Sequence, residues 1–309
     1  MNIKPIQHWN SLNSAFKALV VILLVLGIFF RFASLAERPY WHDETYTLLR
    51  ASGHTIAEIT TQIFDGQLSD RSDLLKVQQI APEKTWLDMM RSLITEEPHR
   101  VPLYTGIARG WMKWLGNGVV AMRSLSAVIS LLVFPALYWL CVELFMQPFT
   151  AWIAIMLMAV SPFHVYYAQE VREYSLWTVT ILLMSAALLR ALRVQTKSAW
   201  NIYSLSVATS LYTLLLSIPL IISHSVYFFI SQPFTQKIRT FLKAFLLGAS
   251  PSLPWLTFAL INRSQAERVN AWMFQPFPIQ ELFSHWVRSF QFVFLAENLT
   301  GRRLCCMNN

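Results

Sequence analysis

Residues 18–30 read ALVVILLVLGIFF, a run without a single charge that Arg31 brings to an end. Worked outward, the apolar stretch extends from about residue 16 to 35, close to the roughly 20 residues needed to cross ~30 Å of hydrocarbon. Lys4 and Lys17 precede it, and Ser34-Leu35-Ala36 faintly resembles a signal-peptidase site. Its length predicts a retained signal-anchor helix rather than a cleaved leader. The same texture recurs at Leu125–Cys141 and Trp177–Leu189. Hydrophobic residues form 55% of the 309 and charged ones 14%, where a soluble domain carries about 25% charged residues. Mean hydropathy is +0.41. The 12 Trp and 10 Tyr suit the aromatic belts of a bilayer.

These features predict an all-α membrane protein with about seven transmembrane helices, at 16–35, 123–145, 150–166, 174–193, 200–217, 218–234 and 241–261. The net charge of +8 is dispersed beside the spans, which is a positive-inside pattern and not a nucleic-acid groove. No cofactor is expected. Cys141, Cys305 and Cys306 make neither a disulfide framework nor a metal-ligand spacing, and metal dependence stays open.

The stretch 36–101 is polar, with 11 acidic residues against seven Arg and Lys. An acidic-leaning loop belongs outside. Residues 102–116 are too short to cross comfortably. Leu103, Ile107, Trp111 and Trp114 recur at helical spacing while Arg109 and Lys113 share another face. That is an amphipathic helix lying in the interface. If it does not cross, Arg190, Arg193 and Lys197, and then Lys237, Arg239 and Lys243, all face the cytoplasm, as the positive-inside rule demands. The N-terminus is then cytoplasmic, and the turn at 161–174 shares the outer side with Asp43 and Glu44. Residues 1–262 form one transmembrane domain with its outer loop. Residues 263–309 form an outer segment whose C-terminus reads as incomplete, since Arg302-Arg303-Leu304-Cys305-Cys306 follows without another span.

Three constellations carry chemistry. The first is Trp41-His42-Asp43-Glu44-Thr45-Tyr46, just past the first span. Alone it reads as a solvated acid pair beside belt aromatics, but acids held next to a bilayer are costly unless solvated or paired. The second is Ser161-Pro162-Phe163-His164-Val165-Tyr166-Tyr167-Ala168-Gln169-Glu170-Val171-Arg172-Glu173-Tyr174. Arg172 there is suited to a bidentate grip on phosphate, or is neutralised locally by Glu170 or Glu173. The third is Glu96-Glu97-Pro98-His99-Arg100-Val101-Pro102-Leu103-Tyr104, where headgroup anchoring is the simpler alternative. Arg123 is either a snorkelling anchor or a buried structural charge.

These motifs, with Arg123-Ser124-Leu125-Ser126-Ala127, resemble the GT-C class of polytopic glycosyltransferases. The chain is most similar to bacterial relatives of the dolichyl-phosphate-mannose protein mannosyltransferases and to the lipid A aminoarabinose transferase, over roughly residues 16 to 262. The resemblance implies an inverting transferase that uses a polyprenyl-phosphate sugar on the outer face of the plasma membrane. The acceptor would be a protein, lipid or glycan. It implies Asp43 as catalytic base with Glu44 its acidic neighbour, and Arg172, Arg123 and His99 at the donor phosphate. Tyr46, Tyr104, His164, Tyr167, Gln169, Glu170 and Tyr174 would line the substrate. The family's His-Pro-Pro turn is here His99-Arg100-Val101-Pro102. Tyr212-Thr213 is followed by Leu214-Leu215 in place of the usual aromatic- and His-containing stretch. The rival readings are a transporter-like carrier of lipid-linked sugars and a non-catalytic scaffold. Against the carrier, the charges cluster at one surface and no internal repeat shows.

Overall fold

The computed structural model describes residues 9–10, 12–63, 77–231, 237–269, 271 and 278–294, and among them every regular element is a helix. The first apolar run forms α1 (Ser14–Phe32), opened by Asn13, whose side chain accepts the Ala15 N–H at 2.9 Å. The long loop after α1 contributes α2 (His42–Ser52), α3 (Ile56–Ile63) and α4 (Trp86–Glu96), and Pro102 starts α5 (Pro102–Leu115). Next come α6 (Val119–Leu131), α7 (Val133–Phe145), α8 (Pro148–Val160) and the short α9 (Pro162–Ala168). The rest are α10 (Tyr174–Val194), α11 (Lys197–Thr213), α12 (Ser217–Ser231), α13 (Lys237–Ala249), α14 (Leu253–Ile261), α15 (Arg263–Val269) and α16 (Ile279–Phe294). Asp65, Asp70 and Asp73 of the outer loop, residues 232–236 and the stretch Arg302 to Cys306 lie outside the described residues.

The chain is an all-α membrane protein. Among the described residues, four helical stretches are long and apolar enough to cross a bilayer: Ser14–Phe32, Val119–Phe145, Tyr174–Val194 and Lys237–Ile261. The α8–α9 pair makes a fifth if it is one span, and it is bent by 64°. Seven crossings are therefore not established by length and composition. The expected span at 150–166 is broken because Pro162 has no N–H to continue the ladder and pushes Ser161 into an extended conformation. The expected spans at 200–217 and 218–234 exist as α11 and α12. However, α11 is rich in Ser, Thr and Asn, and α12 has only 15 residues.

Two cores meet along α10. Its C-terminal half, at Met184, Ala187, Leu188 and Ala191, packs with α11, α12 and α13 around Tyr203, Phe228 and Phe241. Its N-terminal end, at Leu176 and Val179, shares a core with Leu48 and Ala51 of α2, Tyr104 and Ala108 of α5, and Met122 and Leu125 of α6. That second core docks the loop after α1 onto the bundle. Helices approach closely where side chains vanish. A Cβ on Gly27 would meet the Ala159 carbonyl oxygen at 2.5 Å, and one on Gly248 would meet that of Ser204 at 2.6 Å.

Candidate active site

Consecutive residues on a helix point about 100° apart, so the first turn of α2 gives its two acids different surroundings. Glu44 turns inward and is fully buried. Its Oε1 accepts from Arg123 Nε at 3.0 Å and from the Val171 N–H at 3.1 Å. Its Oε2 accepts from Arg123 Nη2 at 2.8 Å and from the Trp41 N–H at 3.2 Å. Arg123 aims its remaining donors at the carbonyls of Leu35 (2.8 Å), Arg38 (2.7 Å) and Pro39 (3.1 Å). All five guanidinium N–H groups are then used. The Glu44–Arg123 pair ties the start of α2 to α6 and to the loop after α9.

That clamp sets the position of Asp43. Its side chain turns outward, 30% exposed, with Oδ2 3.5 Å from Arg172 Nη2 and Oδ1 3.5 Å from His42 Nδ1. Arg172 is buried, and its Nη2 lies 3.3 Å from Glu173 Oε1. Its guanidinium sits 5.4 Å from the centroid of the Tyr174 ring. Its Nε and Nη1 have no hydrogen-bond partner. Burial pulls the Arg172 pKa down, but Glu173, Tyr174 and Asp43 outweigh it and hold the group charged. A buried cation with two unsatisfied donors beside a half-open carboxylate can offer an anion further charge-assisted hydrogen bonds.

The neighbours are polar and mostly neutral. Burial, then the nearby Glu44, pushes the Glu170 carboxyl up to about 8. Burial lowers the His99 pKa, and Glu97, Arg100, Glu173 and Arg172 all act on that ring. Gln169 fastens the loop to the end of α1, its Nε2 donating to the carbonyls of Phe30 at 2.7 Å and Ala33 at 2.8 Å. His164, Tyr167 and Tyr174 line a cavity of about 280 Å³. Tyr104 and Tyr46 are not among the residues lining that cavity. Tyr104 is buried in the outer core, its hydroxyl 2.6 Å from Ser126 Oγ. Tyr46 packs against His42 and near Arg50.

Two participants escaped the sequence reading. Glu173 figured there only as a local neutraliser of Arg172, and Arg31 only as an interruption of the first apolar run. Arg31 lines the same cavity, and a cation within the last turn of a spanning helix was the signal available. Arg109, expected with Lys113 on the polar face of an amphipathic helix, turns into the protein instead. It is buried and donates to the carbonyls of Ala51 at 2.7 Å and Lys84 at 2.5 Å.

A protein-family model described as dolichyl-phosphate-mannose-protein mannosyltransferase matches residues 97–258, just over half of the chain. The matched stretch holds His99, Arg123, Glu170, Arg172 and Tyr174, and begins after Asp43 and Glu44. No curated protein and no solved structure gives a match.

Proposed function

Because the chain belongs to the dolichyl-phosphate-mannose-protein mannosyltransferase family, and so is a membrane glycosyltransferase of the GT-C type, we propose that it moves a sugar from a polyprenyl-phosphate donor to an acceptor hydroxyl. The observation that carries this reading is the Asp43–Arg172 pair at 3.5 Å, with Arg172 Nε and Nη1 unpartnered. Asp43 takes the acceptor proton as the acceptor oxygen attacks the anomeric carbon. The bond from that carbon to the phosphate oxygen breaks with its electron pair, and Arg172 meets the charge that develops on the phosphate. A single displacement of this kind inverts the anomeric centre.

Supporting roles follow from the contacts. Glu44 and Arg123 are fully engaged with each other and with backbone, so they position Asp43 and Arg172 and do not touch substrate. His99 and a protonated Glu170 supply neutral hydrogen-bonding groups beside the phosphate. The remaining lining residues are His164, Tyr167 and Tyr174. Gln169 holds the loop, and Tyr104 and Tyr46 support the walls.

The outer face of the plasma membrane is favoured by α10. It starts at Tyr174 beside the site and carries Arg190 and Arg193 at its far end, about 30 Å away for a helix of that length. The test is transfer from a labelled polyprenyl-phosphate sugar in proteoliposomes. Asp43→Asn should slow transfer by about 10²–10⁴-fold while the protein stays folded. Turnover equal to wild type would remove Asp43 from the chemistry.

A further inference from the structure

The helix α16 reads IQELFSHWVRSFQFVF and sorts its residues cleanly between two faces. At 100° per residue, Ile279, Leu282, Phe283, Trp286, Val287 and Phe290 fall within an arc of about 140°. Glu281, Ser284, His285 and Arg288 stand opposite. All six apolar side chains are exposed, Ile279, Phe283 and Phe290 by 79%, 71% and 75%. A contiguous apolar face of that size on a protein surface marks a contact with a partner or with lipid.

The position of α16 in the fold says which. It lies alongside α9. The residue that follows α9, Gln169, is fastened to the carbonyls of Phe30 and Ala33 at the C-terminal end of α1. That helix is long and apolar enough to cross a bilayer, and it exposes Ile22, Val25 and Phe29 along one side. Its neighbour α8, which leads into α9, exposes a matching stripe of Phe149, Ile153, Leu157 and Val160. In a membrane protein those stripes face hydrocarbon, so α9 marks the level at which hydrocarbon gives way to headgroups, and α16 sits at that level. A helix of 16 residues is about 24 Å long, short of the ~30 Å of a hydrocarbon core. Crossing would also carry Glu281, His285 and Arg288 through the bilayer.

We propose that α16 is an in-plane membrane helix, its Ile279–Phe290 face sunk into the headgroup–acyl boundary of the bilayer that the chain spans. Trp286 is at the centre of that face, and an indole suits the boundary because its ring is apolar and its N–H can meet water. Glu281 and Arg288 cancel each other on the polar face, so apolar burial and not attraction to anionic headgroups holds the helix down. The proposal is independent of the transferase reading.

The test is nitroxide scanning of the full chain in liposomes of zwitterionic lipid, with Cys305 and Cys306 replaced by Ser and Cys141 left buried. Phe283→Cys, Trp286→Cys and Phe290→Cys sample the apolar face, and Glu281→Cys, Arg288→Cys and Gln291→Cys the polar one. All six positions are exposed, so the label displaces no core side chain. Collisions with oxygen, which concentrates in lipid, and with a water-soluble nickel chelate are compared at each site. Oxygen should dominate at 283, 286 and 290 and the chelate at 281, 288 and 291, an alternation with a period of about 3.6 residues. Chelate access on both faces overturns the proposal, because the helix then lies in water. Protection of the apolar face from both reagents overturns it in favour of a protein partner or a second copy. A steady change from one end of the helix to the other overturns it in favour of a crossing. A pattern that appears only when anionic lipid is added overturns the claim that apolar burial holds the helix.

Discussion

Asp43 and Glu44 are neighbours in one helical turn, and their different partners separate structure from chemistry. Removing the cation from Glu44 with Arg123→Gln leaves a fully buried carboxylate without its bidentate partner. A loss of about 3–5 kcal/mol is expected, read from denaturant or thermal unfolding in detergent. Arg172→Lys keeps a charge near Asp43 but not the planar fork of donors. It should cut transfer by roughly 10²-fold while the unfolding midpoint moves little. Equal effects on stability and turnover from both variants would erase the distinction between clamp and site. Glu170 makes a pH prediction. Its folded carboxyl titrates at about 8, against about 4.3 in the unfolded chain. Between these values the folded state keeps a proton that the unfolded chain releases, so stability falls as pH rises through the window and levels off above it. Glu170→Gln, neutral at every pH, should flatten that slope by about 1–3 kcal/mol between pH 5 and 8. An unchanged slope would show that Glu170 is ionised in the fold.

The helices themselves were largely legible, because apolar runs declare their length and Pro or Gly marks their ends. The run expected at 16–35 is α1 at Ser14–Phe32, and that expected at 174–193 is α10 at Tyr174–Val194. The bend at Pro162 is visible in hindsight in the dipeptide Ser161-Pro162. The facing partners of a helix were not legible. Gly27 is an ordinary residue in an apolar run until α8 is laid against it, when a Cβ would strike the Ala159 carbonyl oxygen at 2.5 Å. That oxygen also accepts from Arg31. Gly27→Leu should therefore separate α1 from α8 and cost about 1–3 kcal/mol, read from unfolding in detergent. A midpoint equal to wild type would mean that the close approach is not maintained in the membrane. In α5, periodicity set Arg109 and Lys113 on one polar face, and the fold splits them: Arg109 is buried against the carbonyls of Ala51 and Lys84 while Lys113 stays exposed.

For the whole molecule, the proposed function requires one bilayer to separate the site from the basic ends of the spans. In a chain with Cys305 and Cys306 replaced by Ser, Glu37→Cys should react with a membrane-impermeant maleimide on intact cells. Lys197→Cys should react only after permeabilisation, since Cys141 is buried and both probes sit at exposed positions. The reverse labelling would invert the topology and move the site to the cytoplasm. Sequence by itself determined that this is a helical membrane protein. Hydrocarbon offers no partner to a backbone N–H or C=O, so long apolar runs have to satisfy their own hydrogen bonds as helices. It also singled out Asp43, Arg172 and Tyr174 by motif. Only the tertiary structure decided that Glu44 is sealed by Arg123, that Asp43 meets Arg172, and that Arg31 opens onto a cavity beside them. Those contacts join segments distant along the chain through the packing of α2, α6, α8 and the loop after α9. No local spacing encodes which faces of those elements come together.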